Sequence, residues 1–164
     1  LIELIEEEPR KAVGHVEQLS TFFRNILQVR ERELIPVEEE LRLLATYFDL
    51  EKHRFGARIA LLVNVDEQAR RHRVVPLTLQ LLVENALKHN VATAAEPLTV
   101  SVEATVRELV VRNPLRPRDV GHRSTGYGLE SIRQRYTALT DRPVQVLAGA
   151  GVFEVRIPLI DPEP

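Results

Sequence analysis

Two short stretches of this chain carry groups that could act together. Residues 80–90 read Gln-Leu-Leu-Val-Glu-Asn-Ala-Leu-Lys-His-Asn, and about forty residues on stands Ser124-Thr125-Gly126-Tyr127-Gly128-Leu129. At roughly 100° per residue, a helix through the first stretch turns Leu79, Leu82, Val83, Ala86 and Leu87 to one side. Asn85, Lys88 and His89 fall on the opposite arc, with Leu81 and Thr78 in line. In the second stretch a Gly-x-Gly turn opens a helix, the arrangement that brings backbone N–H groups up to a phosphate. A polar helix face set against a helix N-terminus suits a nucleotide. Each half also has a plainer reading. Lys88 and His89 favour a last helical turn and Asn90 a left-handed cap, but this leaves Asn85 unexplained, a poor helix former placed mid-helix beside Glu84. Gly-x-Gly marks ordinary turns as well. Here it follows an Arg-bearing loop, with the Ser124 and Thr125 hydroxyls just ahead of it.

Composition bounds the rest. A chain of 164 residues fits one domain, or one domain with a short appendage, and 44% hydrophobic residues suffice for a core. A net charge of −2 gives no reason to expect nucleic acid or anionic lipid as a partner. Cysteine is absent, which excludes disulfides and thiolate metal sites. No apolar run reaches the ~20 residues of a membrane span, and no signal peptide is visible. A chain that opens on Leu1 and contains no Met is expected to be a fragment, with any membrane or sensor part outside it.

The elements that must position these groups fall into two regions. Residues 1–55 read as helical. Pro9 suits a first helical position, and Val13, Val16, Leu19, Phe23, Ile26 and Leu27 recur at spacings of three and four. Pro36 opens a second helix with three glutamates in its first turn, where they suit the dipole, and Gly56 ends it. Beyond it strands and helices alternate. Residues 58–65 predict a strand, 66–73 a loop or linker, and Pro76 the start of the helix ending near His89. Residues 98–105 and 108–113 predict paired strands. Residues 114–125, rich in Arg, Pro and Gly, predict a mobile loop. A helix over 129–139 and strands over 144–148 and 152–158, joined by Gly149-Ala150-Gly151, complete the pattern. The tail after Ile160 is expected to fray.

Several of these pieces, in this order, carry a resemblance. They are Leu34-Ile35-Pro36-Val37-Glu38-Glu39-Glu40; Tyr47 and Glu51-Lys52-His53-Arg54-Phe55-Gly56; Val75-Pro76-Leu77, Gln80, Leu82-Val83-Glu84-Asn85-Ala86 and Lys88-His89; and Gly126-Tyr127-Gly128-Leu129 with Ile132-Arg133-Gln134-Arg135. Together they resemble the LytS/YehU class of bacterial sensor histidine kinases over nearly the whole chain. The combination is specific, although no single piece is. The resemblance implies an α/β (α+β) two-layer sandwich of the GHKL or Bergerat ATP-binding type, a mixed sheet covered by helices on one face and preceded by helices. Residues 1–55 would be the C-terminal part of the helical dimerisation and phosphoacceptor region with its connecting helix, and residues 56–164 the ATP-binding catalytic domain.

By the same resemblance, Asn85 matches the asparagine whose side-chain oxygen binds the Mg2+ that bridges the phosphates, Lys88 a phosphate-contacting position, and His89 a position beside the nucleotide. Gly126 and Gly128, with Ser124, Thr125, Tyr127 and Leu129 around them, match the glycine box at the hinge of the ATP lid. Asn113 stands at the adenine-reading position, where the class usually has the Asp of Asp-x-Gly-x-Gly; the glycines are missing here. An amide can still accept a hydrogen bond through its oxygen and can donate one too. Hydrolysing relatives of the fold carry a glutamate one turn before the asparagine, where this chain has Leu81. Glu84 is adjacent and has at most a supporting role. The acceptor histidine of the class lies in a Pro-His-Phe-x-Phe-Asn segment absent from this chain, and His15, His53 and His72 read as surface residues, with His122 in the lid.

The implied function is the ATP-binding catalytic part of a cytoplasmic histidine kinase, passing the γ-phosphoryl of Mg-ATP to an upstream histidine. A response regulator and a homodimeric full-length protein are the implied partners, without nucleic acid or direct membrane contact by this segment. The alternatives are a degenerate nucleotide-binding regulatory module and a dimerisation or interaction domain without catalysis.

Overall fold

The structure, a computed structural model, describes residues 9–118 and 127–162. Helix α1 runs Pro9–Arg30, the short strand β1 Ile35–Pro36 and helix α2 Val37–Phe55. Strand β2 (Ile59–Val65), the one-turn helix α3 (Glu67–Arg70), strand β3 (Arg73–Val74) and helix α4 (Thr78–His89) follow. Strands β4 (Leu98–Ala104) and β5 (Glu108–Pro114), helix α5 (Tyr127–Thr137) and strands β6 (Gln145–Gly149) and β7 (Val152–Pro158) complete it.

Five strands form one sheet in the order β2-β4-β5-β7-β6. β2 and β4 pair in parallel, Ile59 opposite Leu98, and the other neighbours are antiparallel. A parallel pair needs a crossover between its strands, and that crossover contains α4. Burial alternates along β4: Leu98, Val100, Val102 and Ala104 are buried, while Glu103 is exposed. The buried face meets Leu79, Leu82, Val83, Ala86 and Leu87 of α4 and Ile132 and Tyr136 of α5, all buried in one core. Each of the Leu, Val and Ile side chains among them contributes about 1.5–3 kcal/mol through its removal from water. The open face carries an alternating charge ladder in which Arg112 bridges Glu154 and Glu103, and Arg156 bridges Glu154 and Glu108. The expected two-layer sandwich, helices on one face of a mixed sheet, is therefore present. No helix among the described residues is long and apolar enough to cross a membrane.

Several expectations need correction. Residues 66–73 are not a plain linker: they hold α3 and the start of β3, which pairs with β1 and bridges Ile160 through reciprocal Arg73 and Ile160 backbone bonds of 2.8 and 3.0 Å. Pro76 does not start α4. Leu77 stands between them in the left-handed region at φ 65°, a conformation that costs a non-glycine residue roughly 1–3 kcal/mol. Glu40 accounts for its persistence. The sequence reads Glu40 as a dipole partner in the first turn of its own helix, but it is 1% exposed and turned inward. One carboxylate oxygen accepts Leu77 N–H at 2.9 Å and the other Leu79 N–H at 2.8 Å. So α2 caps α4, whose own N-cap residue makes no side-chain cap bond. Burial pushes the Glu40 carboxyl up to about 7, against the pull of the two N–H groups and of Arg135. Thr78 is fully buried, its hydroxyl donating to Val75 O at 2.7 Å, and does not join the polar arc. His72 is no surface residue either, being half-buried with its ring 3.1 Å from Gln68 O.

On α1 the apolar stripe divides. Phe22 and Val29 are buried, and the Phe22 ring stacks on Tyr47 of α2 at 5.9 Å. Val13, Val16, Phe23 and Leu27 share a different face and stay 45–63% exposed.

Tyr136 is 1% exposed and its hydroxyl accepts Val75 N–H at 3.1 Å, beside the turn that leads into α4. Tyr136→Phe removes that one oxygen and leaves a buried donor without a partner. It should lower unfolding free energy by about 1–3 kcal/mol; a urea midpoint equal to the parent's would show that the hydroxyl carries no stability.

Candidate functional site

A cleft of about 880 Å³ opens between α4, α5 and the end of β5. Its volume lies within the range of small-molecule sites, ~300–1,000 Å³. α4 contributes Asn85, Lys88, His89 and Leu81; α5 contributes Gly128 and Leu129; the strand ends contribute Asn113, Leu115 and Phe153. Leu129, Leu115 and Phe153 give the cleft an apolar part, and its polar groups come from α4, from Asn113 at the strand end and from Glu130 and Arg133 on α5.

The two stretches that the sequence sets apart meet here. A Cβ built on Gly128 would lie 3.5 Å from Asn85 Nδ2 and 3.9 Å from Asn85 Oδ1. The first turn of α5 thus faces the Asn85 amide across a gap about one methyl group wide. Asn85 is half-buried and its side chain has no hydrogen-bond partner among the described residues. A free amide on a helix face is a group held ready for something else. Lys88 and Glu84 are exposed at the rim. His89 is half-buried, and burial, then the Lys88 and Arg118 cations, hold its imidazole below the ordinary histidine range. Asn113 is 5% exposed. Its Nδ2 donates to Pro114 O at 2.8 Å, which leaves Oδ1 as the acceptor it can offer to the cleft. Ser124, Thr125 and Gly126 lie outside the described residues, as does the Tyr127 side chain; the Tyr127 backbone opens α5.

The far end of α4 departs from expectation. Asn90 is extended, at φ −114° and ψ 150°, not left-handed. Its buried side chain donates to Ala86 O at 2.9 Å and accepts Arg116 N–H at 2.8 Å. Arg118 donates to Asn90 O at 2.8 Å and Leu87 O at 3.2 Å, and its own N–H reaches His89 O. The last carbonyls of a helix lack partners within it; here residues 115–118 supply them. The first part of the segment expected to be a mobile loop is therefore a strap tied to α4, with Leu115 N–H bonded to Gly151 O at 2.8 Å. Residues 119–125 fall outside the described residues. The sequence signal for Asn90 was present but ambiguous, since a cap and a side-chain clamp use the same residue type.

Oxygen donors in the cleft fit Mg2+. That ion takes one or two protein oxygens together with phosphates and water, and Asn85 offers one uncommitted amide oxygen. No group of three or more His, Cys, Asp or Glu that could hold a metal occurs among the described residues, so an all-protein cage is not built here.

A family model, Histidine kinase, matches residues 1–59. The sensor protein LytS of Bacillus cereus is 32% identical over 130 residues, 79% of this chain and 21% of that protein. LytS of Bacillus subtilis is 42% identical over 72 residues, 44% of this chain and 12% of that protein. The chain belongs to the histidine-kinase family, in its LytS class. It spans about a fifth or less of the length of these LytS proteins. Among solved structures, the histidine kinase domain of the Erythrobacter litoralis EL346 blue-light activated kinase superposes with a TM-score of 0.54. It covers 92% of this chain and 83% of that one at 21% identity, a likeness of fold alone. The sandwich described above is thus that of histidine-kinase catalytic domains, the GHKL type.

Asn90→Ala in this LytS-class domain should cost about 1–3 kcal/mol, because it leaves the half-buried Arg116 N–H without its acceptor and removes the side-chain bond to Ala86 O, which keeps only the Asn90 backbone N–H. Amide exchange at Arg116 should accelerate while the exchange of β4 stays unchanged. Unaltered exchange at Arg116 would mean that the strap is held without Asn90.

Proposed function

We propose that the cleft binds Mg-ATP and that, in the full-length protein, the γ-phosphoryl passes to a histidine upstream of this segment. The observation that carries this reading is that Gly128, at the start of α5, and the Asn85 amide, which has no partner among the described residues, face one another in one cleft. Residues 56–164 then supply nucleotide binding and residues 1–55 the helical part that brings the acceptor.

Each side chain has a physical task. The Asn85 oxygen would hold Mg2+, which would supply neutralisation of the phosphate charge. Lys88, exposed at the rim, attracts the phosphate tail. The N-terminus of α5 would turn its first-turn N–H groups and the positive end of its dipole toward the same place. Asn113 Oδ1 accepts from the adenine amino group beside the apolar part formed by Leu129, Leu115 and Phe153. His89, held below its usual pKa, lends a neutral ring beside the nucleotide. Ser124, Thr125, Gly126 and Tyr127 would close over the phosphates, and Glu84 supports the rim. In the transfer step an imidazole nitrogen forms a bond to the γ-phosphorus, the bond from that phosphorus to the β–γ bridging oxygen breaks, ADP leaves, and the imidazole gives up its proton. Imidazole is itself a nucleophile, so no base is needed for it, whereas water does need one. Leu81, one turn before Asn85, lines the cleft and supplies none.

The exposed stripe of Val13, Val16, Phe23 and Leu27 favours a second copy of the chain as partner, with a response regulator receiving the phosphoryl group afterwards in the cytoplasm. Loss of the glycines after Asn113 favours one competing reading, a nucleotide-binding module that no longer transfers phosphate.

Calorimetry decides the central point. The parent should bind Mg-ATP, and Asn85→Ala should lose most of the Mg2+-dependent part of the affinity with little change in stability, because its side chain is not in the core. Equal binding by both would exclude Asn85 as the Mg2+ ligand. A longer protein that includes the upstream histidine should gain an acid-labile label from γ-labelled ATP. Bound ATP without labelling would favour the module that does not transfer.

Gly128 offers a graded test. The Cβ of Gly128→Ala meets Asn85 at ordinary van der Waals distance, so binding should drop only slightly. Gly128→Val places branched methyl groups against the amide and should weaken binding by about tenfold or more. Similar affinities for the two variants would remove steric closeness as the reason for glycine.

A further inference from the structure

We propose that Glu40 is a positioning residue for this nucleotide site: its carboxylate, carried on α2, fixes the first turn of the helix bearing Asn85 and Lys88 and so couples the upstream helices to nucleotide binding. The proposal rests on the functional reading above and adds to it a device of control.

Glu40 is the only buried carboxylate among the described residues, and nothing in the nucleotide chemistry requires it. Its two oxygens are spent on two N–H groups of one turn, at 2.9 and 2.8 Å. One belongs to Leu77, whose left-handed backbone stands only where its surroundings hold it. From Leu79 to Asn85 the helix is uninterrupted, so a shift of that first turn is passed along the axis to the Asn85 amide, which faces Gly128 across a gap that a single methyl group would fill. The charged and titratable groups around Glu40 are Glu39 on α2 and Arg135 and Tyr136 on α5. Ionised, Glu40 presents two acceptors. Protonated, it turns one of them into a donor that faces an N–H group, and the turn loses half of its anchor. Burial raises the Glu40 pKa to about 7, so the anchored form grows as pH rises through that value.

Glu40→Gln keeps the shape and fixes the weakened state, since an amide offers one oxygen and one donor. The measured quantity is the ratio of Mg-ATP affinities, parent over Glu40→Gln. The titrations of ATP and of His89 occur in both proteins and cancel in it. The ratio should be about tenfold at pH 8 and fall towards one at pH 6. A ratio of one throughout, or one that does not change with pH, would overturn the proposal, since a purely structural role would not move with pH. The second measurement needs no nucleotide. In the amide NMR spectra of the two free proteins, the difference between parent and Glu40→Gln, from which the His89 titration common to both cancels, should show Leu77, Leu79 and the Asn85 side chain shifting together with a midpoint near 7. If the parent fails to bind Mg-ATP, the functional reading falls. The spectrum then decides the coupling by itself: an Asn85 amide that ignores the Glu40 titration overturns it.

Discussion

The start of α4 depends on a carboxylate that is buried from solvent. Glu40 reaches from α2 into the core and takes the two N–H groups that open α4. Removing an anion from water is expensive, and direct N–H bonds offset only part of that cost. The sign of the balance follows from the raised pKa. The folded protein holds the proton more tightly than the unfolded chain, so the contribution of Glu40 to stability is complete below the ordinary carboxylate value of 4.5. It is lost as pH rises through about 7. A difference of that size corresponds to ~3 kcal/mol. The ionised form, which caps α4 best, is therefore the less stable one. The protein keeps a strained turn and a costly charge where an ordinary serine or aspartate N-cap would serve a helix that only had to be a helix.

Both ends of α4 are treated alike. The N-terminus is held by α2 and the C-terminus by the strap of residues 115–118 through Asn90 and Arg118. Its inner face is fixed by Leu79, Leu82, Val83, Ala86 and Leu87 against the sheet. With three sides committed, the fourth carries Asn85, Lys88 and His89 into the cleft on a frame with little freedom. Such pre-organisation lowers what binding must otherwise spend on ordering. It also explains how an amide without a partner can stand in a fixed place.

Most of this was legible in the sequence where periodicity was strong. The buried side of α4, the antiparallel pair β4–β5 and the hairpin of β6 and β7 follow from apolar spacing and from the Gly149-Ala150-Gly151 turn, where Ala150 and Gly151 both take positive φ. The pairing of Asn85 with a glycine helix start came from residue type, and the two stretches do share one cleft. What escaped has a common cause. Glu40, Asn90 and Arg118 act across 26 to 39 residues of sequence, and each sits where a local explanation was already sufficient: a dipole partner, a cap, a loop cation. Local rules cannot distinguish a glutamate that faces solvent from one that turns inward, because both satisfy the same first-turn preference. The division of the α1 stripe escaped for a related reason, since spacing marks a face as apolar without saying what covers it.

These contacts form one physical line. Phe22 of α1 stacks on Tyr47 of α2; Glu40, earlier on α2, grips the start of α4; Asn85, midway along α4, faces Gly128 of α5. The first two links are packed or hydrogen-bonded contacts between rigid elements, and such a chain can carry a displacement only if one of its members has two arrangements. In the coupling proposed above, the Glu40 turn is that member, its anchor weakened by adding one proton to the carboxylate that holds Leu77 and Leu79. Helix α1, with one face committed to α2 and the other open, is where a partner helix would enter that line. The residue that holds the start of α4 in place is thus the same one through which α2 touches it.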